Sequence, residues 1–405
     1  MFTRTLLITS LFFSHAVFSI EPSEKMNFGR FTLEPRLSVN VQQDDNLLKD
    51  DENEIDVTLT EYVPSLGAIY DGVLFDADVN YQFFSGTYDD SSQDDYDDHR
   101  LNAEFAYQLT RRNKVDLYGY VFREHENRST GDLDFDANSV PNEYDENQIG
   151  LKYTFGRAKA KGRVELFAES LDREYTNNEN DTADEDREET LFGGAFFLRV
   201  SPRTSLFVEY TNEDSNYLND PDPSDITVPL GTLDSTTDQY SAGFKWQLAA
   251  KTTGQIKLGY ISRKFDSSAR EDFSGFSWDI RGDWNATSQS LIRFTTSRAD
   301  KDSDDGANGG YIDQQYYSVD WEKKWGNKFT STLSASLTEK EYIDYETTAN
   351  AGRDDSLLSY GLRFDYAVFR WLDIGLSAIY DDNDSSDDDF DYDRERITLH
   401  LVSGF

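Results

Sequence analysis

The sequence predicts an all-β fold, a transmembrane antiparallel up-and-down β-barrel of about 18 strands. Three observations lead to this prediction. Apolar and polar residues alternate with a period of two along segments of roughly 10 to 14 residues, the length that a tilted membrane strand needs. The links between these segments are alternately tight turns and long acidic stretches. Aromatic residues make up 14% of the chain although its mean hydropathy is -0.71, so the apolar residues are arranged rather than scarce.

The first element is an export signal at residues 1–19. MFTR is a short basic segment, and TLLITSLFFSHAVF behind it is an apolar run typical of a signal-peptide core and too short to span a bilayer. Val17 and Ser19 are small enough to precede a cleavage site, which places the start of the mature chain at Ile20. Because the chain has no cysteine, we expect neither a lipoprotein anchor nor disulfides. Residues 20–30 should form a short periplasmic segment and residues 31–405 the barrel.

The predicted strands begin at Phe31. Clear alternation covers residues 31–41, 75–83, 100–109, 149–155, 164–170, 240–248, 256–260, 276–284, 329–337 and 372–380, whereas residues 115–126 and 311–322 alternate poorly. A repeat of about 42 residues also fits a propeller, but a propeller needs four short strands in each repeat where this chain supplies two long ones. The rhythm of the links favours a barrel with short periplasmic turns and long extracellular loops.

The chain ends on another alternating segment, residues 397–405. Every backbone group in lipid must be paired within the protein, so we expect this last strand to pair with the first. The final Phe405 resembles the signal by which the barrel assembly machinery of Gram-negative bacteria recognises its clients. Ser403 departs from the large apolar residue that is common two positions earlier. The predicted location is the Gram-negative outer membrane, with its lipid and lipopolysaccharide as partners.

The formal net charge of -39 argues against nucleic acid as a partner, because phosphates would be repelled. Most of the acidic residues lie in the nine long stretches, while basic residues mark the tight turns. One interpretation is that the acidic residues only solvate the mouth of the barrel. The other is that they bind divalent cations and connect the loops to anionic lipopolysaccharide.

One acidic stretch has the spacing of a calcium-binding loop. Its oxygen-bearing residues occupy the first, third, fifth, seventh and twelfth positions of a segment similar to an EF-hand loop: Asp132, Asp134, Asp136, Asn138 and Glu143. Ala137 stands where the sharp turn needs glycine, and no helices are predicted on either side. The segment is a candidate for surface Ca2+, and no other cofactor is predicted.

The polar positions of the strands are candidates for the wall of a channel, because a barrel of this size is wide enough to hold water. We expect the following charged side chains to face the lumen: Arg36, Arg100, Lys152, Arg163, Lys257, Arg281, Arg293, Arg363, Arg396, Glu34, Asp76, Asp78 and Glu104. They are either paired wall charges that stiffen the barrel or a charged passage that orients sugars or ions.

Two histidines are the candidates for catalysis. His99 and His125 lie at equal distances from Arg112 in the turn between their strands, so they are expected to face each other near the rim, beside several carboxylates. A histidine with carboxylates can activate water or hold a metal. No GxSxG or HExxH pattern accompanies them, and we predict that the protein is not an enzyme.

Two segments near the N-terminus resemble a known family. FTLEPRLSVNVQQDDN (residues 31–46) and YVPSLGAIYDGVLFDADVNYQFFSGTYDD (residues 62–90) are similar to the first hairpins of the beta-barrel porins that are often encoded beside exopolysaccharide or exosortase genes. The shared features are an alternating first strand running into Asp-Asp-Asn, a proline in the second strand and an aromatic-rich third strand that reaches a Tyr-Asp loop. Beyond Asp90 only the architecture agrees. The resemblance implies an outer-membrane channel and supplies no catalytic residues.

Three hypotheses on function stand. The first is a porin-like channel that exports an exopolysaccharide or passes sugars, as the resemblance implies. The second is a general or ion-selective diffusion porin for small solutes. The third is a surface structural or adhesive barrel whose acidic loops bind calcium. An open, wet lumen would separate the first two from the third.

Overall fold

The computed structural model of the protein describes residues 25–51, 54–128, 140–157, 159–178, 182–219, 231–248, 251–302, 311–343 and 352–404. The predicted signal at residues 1–19 lies outside the described residues. Among the residues described, no helix combines the length and the apolar character needed to cross a membrane.

Within the described residues, nineteen antiparallel strands make up one sheet, and eighteen of them close into a ring. The strands are β1 Met26–Phe28, β2 Phe31–Asp44, β3 Val57–Asp71, β4 Phe75–Tyr88, β5 Tyr96–Thr110, β6 Asn113–Glu126, β7 Asn142–Phe155, β8 Gly162–Tyr175, β9 Arg187–Ser201, β10 Thr204–Tyr217, β11 Ser235–Leu248, β12 Thr252–Phe265, β13 Phe273–Thr287, β14 Ser290–Asp302, β15 Tyr311–Lys324, β16 Phe329–Ile343, β17 Asp354–Phe369, β18 Leu372–Ser385 and β19 Tyr392–Gly404. The predicted closed barrel of about 18 strands is confirmed.

The ring closes between the last strand and β2. Val41 lies opposite Leu399 and Arg36 lies opposite Gly404, so the C-terminal strand pairs with the first long strand as the sequence predicted. β1 is a short hairpin partner of β2, with Phe28 opposite Phe31. Closure removes the free edges that an open sheet would expose, which satisfies the backbone along every strand of the ring.

The links define two different ends of the barrel. Eight links are short turns, from residues 72–74 between β3 and β4 to residues 370–371 between β17 and β18, and we call their side the tight-turn end. The nine other links between ring strands belong to the opposite side, the long-loop end, and these links together with the strand ends beside them carry most of the acidic residues. The segregation of charge predicted from the sequence therefore corresponds to two ends of one molecule.

Each strand has an apolar face and a polar face. Large apolar side chains stay exposed on the first, among them Leu37, Tyr62, Ile149, Val208, Leu333 and Leu399. The alternate positions of neighbouring strands lie together on the polar face. For example, Asn40 on β2 donates a hydrogen bond to Glu61 on β3 at 2.7 Å. β6 alternates poorly because three aromatic residues, Tyr118, Tyr120 and Phe122, occupy its polar face. The ring of Tyr118 covers Gly150 on β7, where a side chain would collide with it.

Candidate functional site

The predicted wall charges share one face of the barrel. Strand by strand, the registers put all thirteen on the polar face, opposite the exposed apolar side chains: Glu34, Arg36, Asp76, Asp78, Arg100, Glu104, Lys152, Arg163, Lys257, Arg281, Arg293, Arg363 and Arg396. Asp78 and Glu104 lie directly opposite each other. The polar face is therefore a continuous charged surface around the ring.

Most of these cations are held by a neighbouring carboxylate. The ion pairs are Arg36 with Glu34 at 3.2 Å, Arg163 with Glu165 at 3.1 Å, Lys257 with Glu209 at 3.1 Å, Arg281 with Asp279 at 2.6 Å, Arg293 with Glu322 at 3.2 Å, Arg363 with Asp365 at 2.8 Å, Arg396 with Asp381 at 2.5 Å, and Arg100 with Glu124. Several partners stand two positions apart on one strand, the spacing that keeps both side chains on one face. The prediction of paired wall charges agrees with this geometry.

Aromatic rings lie beneath some of the polar-face cations. The guanidinium carbon of Arg163 is 4.4 Å from the centroid of the Phe197 ring, and the amine of Lys245 is 5.2 Å from that ring and 5.5 Å from Phe207. Phe207 in turn lies over Gly243, where an added Cβ would come within 2.7 Å of its ring. Glycine therefore lets the ring lie flat on the wall with a cation on its other side.

The described part of the first long loop, residues 45–51 and 54–56, folds back against the polar face at the long-loop end. Leu47 and Leu48 are each 4% exposed and pack in a cluster with Val57 on β3 and Tyr88 on β4, and Tyr96 on β5 borders the cluster. Two adjacent leucines within an acidic stretch gave no sequence signal for this position. We call these described residues the inward loop.

The inward loop is fastened to the seam where β19 meets β2. The buried amide of Asn46 donates to the carbonyl oxygen of Asp393 at 2.8 Å and to that of Asp50 at 3.0 Å. Beside it, Arg394 donates two hydrogen bonds to the carboxylate of Asp44. Asp44 is only 1% exposed. The contact of Asn46 with Asp393 joins the first loop to the last strand, and the contact of Arg394 with Asp44 joins the end of β2 to that strand, so loop position and barrel closure are coupled.

Lys49 of the inward loop extends toward the strands on the other side of the seam. Burial lowers the pKa of its amine to about 7. The positive charges of Arg394, Lys340 and Arg396 contribute in the same direction, whereas Asp381 opposes them. The lowered pKa reduces the positive charge that this amine carries at neutral pH.

Two basic residues near the acidic loops are buried and stabilise these loops. Arg128 is 2% exposed and donates to Asp94 at 2.6 Å and to Ser91 at 3.2 Å. The guanidinium of Arg353 lies between the rings of Tyr342 and Phe390, 3.8 Å from each centroid. A buried cation with carboxylate and aromatic neighbours stabilises a loop of opposite charge. The loops are therefore not solvated acidic coils throughout.

One residue of the calcium candidate, Glu143, lies among the described residues. Asp132, Asp134, Asp136 and Asn138 lie outside the described residues, and Glu143 lies in β7, where its carbonyl oxygen accepts from the backbone amide of Thr176 at 2.7 Å. In the part of the chain that is described, no group of three or more acidic or histidine side chains is arranged to hold a metal ion.

The two histidines have different partners. His99 Nδ1 lies 2.8 Å from the hydroxyl of Tyr81, whereas His125 Nδ1 lies 3.1 Å from the carboxylate of Asp98 and its ring stacks on Tyr96. The expectation that the two rings face each other is wrong, because the register sets His99 opposite Arg123 and each ring is taken up by aromatic neighbours of its own.

A closed ring of eighteen strands with an exposed apolar face and a charged polar face is the architecture of a porin-type outer-membrane β-barrel. A family model described as "Putative beta-barrel porin 2" matches residues 25–405, and the chain belongs to this family. The protein is thus a porin-like channel of the Gram-negative outer membrane. The members of this family are described as porins, which are channels, and this confirms the prediction that the protein is not an enzyme.

Solved structures of similar overall fold are porins of low sequence identity. OpdL of Pseudomonas aeruginosa is 10% identical over 93% of this chain and 99% of its own, with a TM-score of 0.48. OpdK of the same species, solved with vanillate, is 10% identical over 92% and 99% with a TM-score of 0.49. OccAB3 of Acinetobacter baumannii is 10% identical over 93% and 100% with a TM-score of 0.49. A search of curated proteins gives no match.

Proposed function

We propose that the protein is a passive diffusion channel for small polar solutes, with the polar face lining an aqueous lumen. The observation that carries this proposal is the ring of charged side chains on the polar face, from Arg36 on β2 to Arg396 on β19. Charges at mid-strand are stable only in contact with water or with one another, and a barrel of eighteen strands leaves room for water. The tight turns then lie in the periplasm and the acidic loops outside the cell.

The inward loop supports small solutes as the cargo rather than a polymer. Leu47 and Leu48 occupy part of the mouth on the side of β3, β4 and β5, and Lys49 reaches the side of β19. A polysaccharide passing through would have to displace this loop and its buried apolar contacts. Export of an exopolysaccharide, which the resemblance implies, therefore requires a second state of the mouth.

The test is single-channel recording from the refolded protein in planar bilayers containing potassium chloride. We expect a steady ohmic current that falls when small polyethylene glycols enter the pore and is unaffected by large ones. Correct folding is checked first by the mobility difference between unheated and heated samples on gels. A correctly folded barrel without current would contradict the channel, and a pore that admits long dextrans would favour the polysaccharide instead.

We also propose that the acidic loops bind calcium at the segment that contains Asp132, Asp134 and Glu143. The support is the EF-hand-like spacing of carboxylates, which are the ligands that calcium prefers. Calorimetry on the folded protein should show that an Asp132→Asn, Asp134→Asn variant binds Ca2+ about tenfold more weakly than the unaltered chain. The control is Asp387→Asn, Asp388→Asn, which removes the same charge from another acidic loop. Equal weakening in both variants would show nonspecific attraction and reject this site.

We propose, finally, that β19, the strand that closes the ring, carries the recognition signal for the barrel assembly machinery. Phe405 lies outside the described residues, but the strand that leads to it is paired on both sides, with β18 and with β2. In this proposal the machinery first binds β19 and then releases it to pair with β2 at the seam.

A further inference from the structure

Three cations on the polar face share two carboxylates. Arg163 on β8 pairs with Glu165 at 3.1 Å, and Lys257 on β12 pairs with Glu209 at 3.1 Å. Lys245 on β11 lies between them and feels the field of both carboxylates, yet among the described residues its ammonium forms no ion pair and no hydrogen bond, only its contacts with two aromatic rings. The group therefore carries one positive charge more than its own acids balance.

The registers bring these residues into one row. Arg163 lies opposite Phe197, Phe197 opposite Phe207, Phe207 opposite Gly243, and Gly243 opposite Lys257. The row crosses five neighbouring strands in the half of the barrel nearer the tight turns. The three cations thus belong to a single patch, even though they come from distant parts of the chain.

The aromatic pair holds the cations on the open side of the wall. Phe197 and Phe207 are 5% and 4% exposed, with their centroids 5.5 Å apart, so they are covered by the side chains above them. The ammonium of Lys245 and the guanidinium of Arg163 lie over these rings. The Nε–H of Arg163 is a buried donor that lies near Glu165 without a hydrogen bond to it.

We propose that Arg163, Lys245 and Lys257 form a binding position for one carboxylate group of a passing solute, such as a sugar acid. A carboxylate accepts charge-assisted hydrogen bonds from ammonium and guanidinium groups, and its single negative charge equals the surplus of the patch. This rests on the proposed function, in which the polar face lines the lumen. At about 0.15 M salt the Debye length is about 8 Å, so the acidic loops at the other end do not cancel the local field.

The experiment records potassium chloride current through the full-length protein while galacturonate is added, with galactose as the uncharged analogue. We expect galacturonate to reduce the current saturably and galactose to leave it unchanged. Lys245→Gln should raise the half-inhibiting concentration about tenfold, whereas Glu209→Gln, which removes one of the two balancing acids, should lower it. The control is Lys264→Gln on the same strand as Lys257, because Lys264 is exposed on the apolar face.

The outcomes separate the patch from the channel itself. Equal effects of Lys245→Gln and Lys264→Gln, or inhibition by galactose as strong as by galacturonate, would overturn the carboxylate position while the current still supports a channel. If potassium chloride gives no current, the channel proposal fails, and calorimetry of galacturonate with the refolded protein in detergent takes over as the test. Binding that Lys245→Gln weakens would then support the patch, and absence of binding would reject it.

Discussion

Replacing Arg394 by leucine is expected to destabilise the barrel by about 3 to 5 kcal/mol, the usual cost of leaving one member of a buried ion pair without its partner. Asp44 is 1% exposed, and its carboxylate accepts both hydrogen bonds from Arg394 across the seam. Without the guanidinium the carboxylate must stay charged in a poorly solvated position or take up a proton. The measurement is a urea titration of the folded protein, followed by the change of gel mobility.

A surface pair provides the matched control. Arg123 and Asp145 also join two neighbouring strands through a bidentate pair, but their side chains are 59% and 35% exposed. Replacing Arg123 by leucine should therefore change stability by no more than about 1 kcal/mol. Equal losses for Arg394→Leu and Arg123→Leu would contradict the structural role of the seam. Partial recovery in an Arg394→Leu, Asp44→Asn variant would support it.

Introducing aspartate at both Leu47 and Leu48 is expected to increase the single-channel conductance. Each leucine is almost fully buried in its cluster, and burying such a side chain stabilises a structure by about 1.5 to 3 kcal/mol. Two carboxylates cannot remain in contact with Tyr88 and Val57 without a large desolvation cost. The inward loop should leave the mouth, and larger sugars should enter the pore faster in a liposome-swelling assay.

The control for this variant is Leu218→Asp. Leu218 follows β10 in another acidic loop and is 46% exposed, so a carboxylate there adds the same kind of charge without loss of buried contacts. Its conductance should stay within the scatter of the unaltered channel. An unchanged conductance in the Leu47→Asp, Leu48→Asp variant would mean that the inward loop does not limit the pore.

The barrel could be predicted from the sequence because its signal is local. The alternation of residues 31–41 or 372–380 reports directly which side chains share a face, and the tight turns fix where each strand must reverse. The pairing of Val41 with Leu399 followed from the requirement that no backbone group be left open in lipid. The poor alternation of β6 has a local cause too, since Tyr118 and Tyr120 occupy its polar face.

The mouth and the carboxylate patch could not be predicted, because they depend on contacts between distant strands. Nothing near Leu47 in the sequence indicates that it contacts Tyr88. Lys245 gains its importance only when the registers show that Glu165 and Glu209 are already occupied by other cations. The misplaced pair of histidines has a similar origin: equal spacing from a turn does not fix the register, and an irregularity between Gln108 and Thr110 sets His99 opposite Arg123, two positions from His125.

The seam also has a consequence for how the molecule is assembled. Asp44 and Arg394 are 350 positions apart, and Asn46 and Asp393 are 347 apart, so these contacts have nearly the largest sequence separation that the chain allows. Contacts of this kind form late, because the chain must lose conformational entropy to close such a long loop before the contacts can offset that loss. The inward loop therefore gains its anchor only at the last step of folding. A nascent barrel should be wide open at the mouth and become restrictive once its two end strands have met.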